Sequence, residues 1–103
     1  MKSAKEFLMD LPAKMDAEEY KDINTTLHFD FDTENYTLQV VNGQASVSDG
    51  LIGEPEVAIK CSADNFSKLL TGELNPMTAM MFGKLKVSNP PAMLKYAKML
   101  GIM

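Results

Sequence analysis

Apolar positions recur along the chain in two rhythms, and each change of rhythm marks an element boundary. Phe7, Leu8 and Leu11 fall at helical spacing behind Ser3-Ala-Lys-Glu6. That tetrapeptide is a capping box: the serine hydroxyl takes an amide ahead of it and the glutamate reaches back to the serine's own. Pro12 is expected to end or bend this helix, because its ring removes a donor and crowds the preceding turn. Met15 to Asn24 is dense in charge, and its apolar residues Met15, Tyr20 and Ile23 are too sparse to define an element.

From Ile23 the period becomes two. Thr25, Leu27, Phe29 and Phe31 point one way, and Asn24, Thr26, His28, Asp30 and Asp32 the other. Beyond an acidic turn at residues 33–35 the alternation resumes with Tyr36, Leu38 and Val40. Asn42-Gly43 then predicts a hairpin, since both residues tolerate positive backbone angles, and Ala45 and Val47 belong to its returning strand. A loop from Asp49 to Pro55 leads to a fourth strand through Val57, Ile59 and Cys61.

The next stretch reads as helix, stop, helix, stop, strand. Ser62 caps a helix with Phe66, Leu69 and Leu70 on one face, and Gly72 closes it in the left-handed conformation. Asn75-Pro76 starts a second helix, whose apolar face is assigned to Met77, Met80 and Met81 and whose stop is Gly83. Leu85 and Val87 alternate with Lys84 and Lys86 as in a half-buried strand. Asn89-Pro90 opens a last helix with Met93, Tyr96, Ala97 and Leu100 on one side. The expected order is a helix, four strands as a meander, two helices, a fifth strand and a terminal helix. Alternation in every strand gives a sheet with one wet and one covered face, hence a two-layer α+β domain.

A length of 103 residues suits one domain (1–103), and an apolar fraction of 46% supports a core. A formal charge of -4 argues against nucleic acid as partner. Every basic residue is lysine, so no planar guanidinium clamp is present for phosphate. A single cysteine, Cys61, excludes an internal disulfide and fits a reducing compartment, so the expected location is cytoplasmic.

Candidate chemistry is sparse. One histidine and one cysteine do not make a zinc site, and no metal or cofactor is expected. His28, on the polar side of its strand, reads as a solvated surface histidine. Cys61 has an apolar period and reads as a buried, inert thiol. Asp30-Phe-Asp32-Thr-Glu34 opens like a calcium loop, but Asn35 stands where the glycine belongs and Val41 where the closing glutamate belongs. With no nucleophile elbow and no phosphate loop, the expectation is a protein that is not an enzyme. The unusual quantity is nine methionines, five of them between Met77 and Met99. Unbranched and polarizable, methionine serves either an irregular core or a cavity that adapts to its ligand.

Ser62-Ala-Asp-Asn-Phe66, Leu69-Leu70-Thr-Gly72-Glu-Leu74-Asn-Pro76, Ala79-Met80 and Gly83-Lys-Leu85-Lys-Val87 resemble the signature of the sterol carrier protein type 2, or non-specific lipid-transfer, family. The resemblance extends to Pro55–Ile59, to the Leu27–Phe31 and Tyr36–Val40 hairpin, and to the segment from Phe7 to Met15. It implies a five-stranded, mainly antiparallel sheet with helices on one face and an apolar tunnel between them. The implied ligand is a fatty acid, fatty acyl-CoA, phospholipid or sterol-like molecule. Its implied lining here is Phe66, Leu70, Met77, Met80, Met81, Phe82, Leu85, Met93, Tyr96 and Ala97. Lys84, Lys95 or Lys98 would neutralise a carboxylate at the mouth. Transient membrane contact and a homodimer are both compatible with this reading.

The rival reading is a non-catalytic interaction or dimerisation module that uses the same apolar helical face. Cost also bears on the tunnel. An empty pocket of ~300 Å³, at about 24 cal/mol per Å³, would take up most of the ~5–15 kcal/mol stability of a small domain. Such a cavity is therefore expected to be filled, collapsed by helix movement or capped by a second subunit.

Overall fold

The computed structural model describes residues 4–100. The capping box expected from Ser3 begins outside those residues. Helix α1 (Ala4–Lys14) buries Ala4, Leu8 and Leu11 along one stripe. Pro12 lies within its last turn and does not end it. The ring forgoes one amide donor, while the Met15 amide donates to the Leu11 carbonyl at 3.0 Å and completes the turn beyond it.

Residues 15–24 form a turn built on Asp16. Its carboxylate accepts the Glu18 amide at 2.9 Å and the Glu19 amide at 3.3 Å, and its carbonyl accepts the Tyr20 amide at 3.1 Å. This turn lies against the Asn42-Gly43 hairpin. Gly43 has a φ of +81°, and a Cβ there would meet the Ala17 carbonyl oxygen at 2.6 Å and the Tyr20 carbonyl at 2.7 Å. Turn geometry and close approach both require glycine at this position.

The strands are β1 (Thr25–Asp30), β2 (Asn35–Val41), β3 (Gln44–Asp49), β4 (Val57–Lys60) and β5 (Lys86–Val87). Their order is β3-β2-β1-β4-β5. The sheet is mixed: β1–β2, β2–β3 and β4–β5 are antiparallel, and β1–β4 is parallel. Only β1 to β3 form a meander, because β4 crosses back to the free edge of β1 and does not pair with β3. The crossing segment lies on the outer face of the sheet. Thr37 Oγ1 donates to the Gly50 carbonyl at 2.8 Å and accepts the Ile52 amide at 2.9 Å, while His28 Nε2 bonds the Ile52 carbonyl at 2.9 Å. His28 is therefore buried under this loop at 8% exposure and is not the solvated histidine expected from its strand position.

Across the covered face the register aligns Val47, Leu38, Leu27 and Val57 in one row and Tyr36, Phe29, Ile59 and Val87 in the next. Helices α2 (Ala63–Thr71), α3 (Pro76–Met81) and α4 (Pro90–Leu100) complete the chain. The three expected caps are present. Ser62 Oγ accepts the Asn65 amide at 3.0 Å. Asn75 Oδ1 accepts the Met77 and Thr78 amides at 2.8 and 3.3 Å, and Asn89 Oδ1 accepts the Ala92 amide at 3.4 Å. Gly72, at φ 82°, closes α2 by donating to the Leu69 carbonyl. Phe66 joins the layers: its ring lies 5.8 Å from Phe7 of α1, 5.7 Å from Phe29 and 5.1 Å from Phe31, at centroid distances typical of packed aromatic pairs.

Candidate functional site: apolar seams between helices and sheet

The ten residues implied as a ligand wall divide into three groups. Phe66, Leu85, Met93, Tyr96 and Ala97 are buried, and Leu70 and Met80 are half-buried against the same core. Met77, Met81 and Phe82 face outward, exposed by 51%, 81% and 72%. The inward side of α3 is made by Pro76 and Ala79, with Met80 at its margin. The helical face assigned from the methionine spacing is thus rotated. In a helix of six residues the small Ala79 fits flush against its neighbours, at 0% exposure, where a methionine would hold the backbone away.

Cavities of about 350, 260 and 110 Å³ open on the molecule, and none is lined by any of those ten residues. The interior between helices and sheet is occupied by side chains, with the Phe66 ring cluster under α2 and with Ala79, Leu85, Met93 and Ala97 close-packed under α3 and α4.

The cavity of about 260 Å³ is a cleft between α1 and α4. Phe7, Leu11, Met15, Tyr20, Met99 and Leu100 give it apolar walls, and Lys14, Asp16, Glu19 and Lys98 form its charged margin. Lys98 Nζ lies 3.8 Å from a Glu19 carboxylate oxygen. Leu100, on the cleft floor, continues the inner stripe of α4 through Ala97 to Met93, at spacings of three and four. The sequence shows Phe7, Leu11 and Leu100 as apolar members of separate helices. It carries no local signal that α1 and α4 flank one cleft.

A second feature fixes α4. Thr25 Oγ1 and Tyr96 Oη donate to the same Glu56 oxygen, at 2.6 and 2.7 Å. The Thr25 bond, then the Tyr96 bond, and also the charge of Lys95 hold the Glu56 carboxyl below its ordinary value of 4.5, against an opposing contribution from burial. One carboxylate thereby ties the terminal helix to the start of β1.

The cavity of about 350 Å³ is polar, lined by Asp32, Lys60, Cys61, Ser62, Asn65, Gly83, Lys84 and Lys86. Burial, with the nearby Asp32 and Asp30 carboxylates, pushes the Cys61 thiol from 9.0 up to about 12, so the thiolate needed of a nucleophile is disfavoured. His28 is engaged with the loop on the opposite face of the sheet. Among the described residues, no three of His, Cys, Asp and Glu converge as a metal site. No helix among them is long and apolar enough to cross a membrane.

Comparison with known proteins agrees with this architecture. A double mutant of the sec-alkyl sulfatase PisA1, an enzyme from Pseudomonas sp., matches at a TM-score of 0.83 and 18% identity, over 97% of this chain and 16% of that one. The chain thus spans about a sixth of the sulfatase. Sterol carrier protein 2 from Yarrowia lipolytica, in its apo form, matches at 0.67 and 23% identity, over 93% of this chain and 85% of that one. Palmitated SCP2L2 from Aedes aegypti matches at 0.69 and 15% identity, over 96% and 95%. No curated protein sequence matches the chain. The family description, "SCP-2 sterol transfer family", fits residues 5–100 and supports a role in lipid binding or transfer. By that match over nearly its whole length, the chain belongs to the SCP-2 sterol transfer family.

Proposed function

We propose that the protein is a non-catalytic lipid carrier that holds a fatty acid, a fatty acyl-CoA or a similar single-chain lipid in the apolar layer between helices and sheet. The observation that carries this reading is the cleft between α1 and α4, whose apolar wall includes Leu100 at the end of the buried stripe of α4. A tail admitted there would follow Leu100, Ala97 and Met93, with Tyr96, Leu85, Met80, Leu70 and Phe66 as the deeper wall. Each methylene removed from water contributes about 0.8 kcal/mol. At about 260 Å³ the cleft falls below the ~300 Å³ of a typical ligand pocket, so a long tail must displace side chains or shift α4. Methionine at positions 15, 80, 93 and 99 supplies adaptable side chains for that adjustment.

A carboxylate or phosphate head would remain at the margin, where Lys98 could exchange Glu19 for the ligand. Specificity should be low, because methionine and leucine walls impose shape without hydrogen bonds. The single buried cysteine supports a cytoplasmic setting. The palmitated state of the Aedes aegypti structure makes palmitate the first ligand to try.

The test is a palmitate titration followed by NMR of labelled methionine methyls. Displacement of the Met15, Met93 and Met99 signals, with Met77 and Met81 unmoved, is the expected result. Shifts confined to Met77 and Met81, or no saturable shift at all, would contradict the seat of the ligand proposed here.

A further inference from the structure

Like charges set directly opposite each other on neighbouring strands repel, and sheets generally avoid them. β4 and β5 do not: Lys60 and Lys86 are register partners where the two strands pair. Both are exposed, and Lys84, two residues earlier, is exposed as well. None of the three lysines forms a salt bridge among the described residues. Asp30 is the register partner of Lys60 on the other side of β4, but its carboxylate is turned to the Asp32 amide, which it accepts at 3.0 Å.

All three lysines line the polar cleft of about 350 Å³, in which Asp32 is the acidic lining residue. The cleft lies where the parallel pair β1 and β4 ends: Asp32 follows β1, and Cys61 and Ser62 follow β4. Space outside the carboxyl ends of parallel strands is where open sheets commonly seat ligands. Its walls are fixed by the backbone. The Lys84 amide donates to the Ala79 carbonyl at 2.9 Å, and Asn65 Nδ2 of α2 donates to the Lys84 carbonyl at 3.5 Å. Ser88 Oγ accepts the Ala58 amide at 2.8 Å and pins the end of β5 to β4. The volume falls within the ~300–1,000 Å³ of small-molecule pockets, while the charged lining does not suit a lipid tail.

We infer that this cleft binds a small, water-soluble polyanion, a diphosphate or phosphate ester, through Lys60, Lys84 and Lys86. Three ammonium groups without an internal ion pair then share one counter-charge, and the repulsion between Lys60 and Lys86 is offset by attraction to the ligand. Lysine meets phosphate as a point charge and lacks the planar fork of arginine, so ligand charge should matter more than ligand shape. The α1–α4 cleft shares no lining residue with this one, and the inference stands apart from the carrier reading.

The experiment is a titration of the protein with inorganic pyrophosphate, read by amide NMR and by thermal melts. Saturable shifts should centre on Asn65, Gly83, Lys84 and Lys86, and the melting temperature should rise as pyrophosphate is added. Pyrophosphate should bind more tightly than orthophosphate, and both should weaken as sodium chloride screens the lysines. Lys60→Gln and Lys86→Gln should each lower pyrophosphate affinity about fivefold. Without pyrophosphate both variants should melt at or above the temperature of the parent, since each removes a repulsion. Asp32→Asn should do the opposite and tighten binding about fivefold; asparagine tolerates the positive φ of 70° at that position. Absence of a saturable shift, parental affinity in both lysine variants, or binding by Asp32→Asn no tighter than the parent's would overturn the proposal. So would a lower melting temperature for both lysine variants without pyrophosphate, which would make the lysine pair structural. Shifts of the same amides by phosphatidylglycerol vesicles but not by pyrophosphate would also overturn it, by assigning the cleft to lipid headgroups.

Discussion

Helices α2 and α3 follow one another in the chain and begin the same way, each with a side-chain cap on its first amides. Their outer ends differ sharply. Helix α2 drives Phe66 to 0% exposure among the rings of Phe7, Phe29 and Phe31, whereas α3 anchors itself by Pro76 and Ala79 and leaves Met81 and Phe82 in solvent. Capping decides where a helix starts, and burial decides what depends on it. In this protein α2 holds the layers together, and α3 presents a surface.

The sharpest way to break that comparison is to truncate one aromatic ring from each side. Phe66→Ala should cost about 3–5 kcal/mol in urea unfolding, through lost burial and the cavity left behind. Phe82→Ala should stay within about 0.5 kcal/mol of the parent. Similar losses at both positions would mean that α3 is as structural as α2.

Gly43→Ala comes next, at about 1–3 kcal/mol, because the positive φ and the Ala17 and Tyr20 carbonyls both oppose a Cβ. Gly53→Ala is its control. That site has a φ of +71° but no neighbour within 4 Å, so only backbone strain should register and the loss should be smaller. Thermal melts of the two variants compare close approach with strain alone.

A smaller effect, about 1 kcal/mol, is expected of Tyr96→Phe, which removes one bond to Glu56. Its pH dependence has a definite sign. The folded pKa of Glu56 is lowered, so its stabilisation is present above the ordinary 4.5 and is lost as pH falls through the folded value. The gap between the parent and Tyr96→Phe should therefore narrow well below pH 4.5, as read from urea midpoints. A gap independent of pH would show that the Glu56 charge plays no part in holding α4.

At neutral pH the least visible effect is that of Cys61 and Tyr36. Burial, first in rank for both, raises the thiol from 9.0 and the phenol from 10.0, each to about 12, with the Glu34 bond adding to the rise at Tyr36. Both groups are neutral in folded and unfolded chains at pH 7, so neither gives a slope there. Above pH 9 the unfolded chain loses its protons first, and stability should fall as pH rises towards 12. Cys61→Ala should flatten the part of that decline nearest pH 9, an outcome that alkaline urea titrations would show.

Local chemistry was readable in the sequence wherever a residue acts on its own neighbours. Ser62, Asn75 and Asn89 cap as their side chains dictate, Gly72 closes α2, and the alternation from Thr25 to Val47 lays out the covered face. Partner choice was less legible. The alternation of β1 is satisfied by a neighbour on either side, so nothing local distinguished a fourth meander strand from the parallel return of β4. His28 was misplaced for a related reason, since its cover comes from Ile52, 24 residues later. The face of α3 was misjudged because methionines at 77, 80 and 81 extend around more than half of a six-residue helix, and the small Ala79 proved the better inward residue. The α1–α4 cleft is the least local feature of all, joining residues from near both ends of the chain.

Native mass spectrometry of the protein as purified from its producing cells, followed by lipid extraction, tests the central claim most directly. The account predicts a monomer carrying one single-chain lipid, released on activation and recovered in the extract. A lipid-free chain in a tight dimer that buries α4, with nothing recovered in the extract, would contradict it.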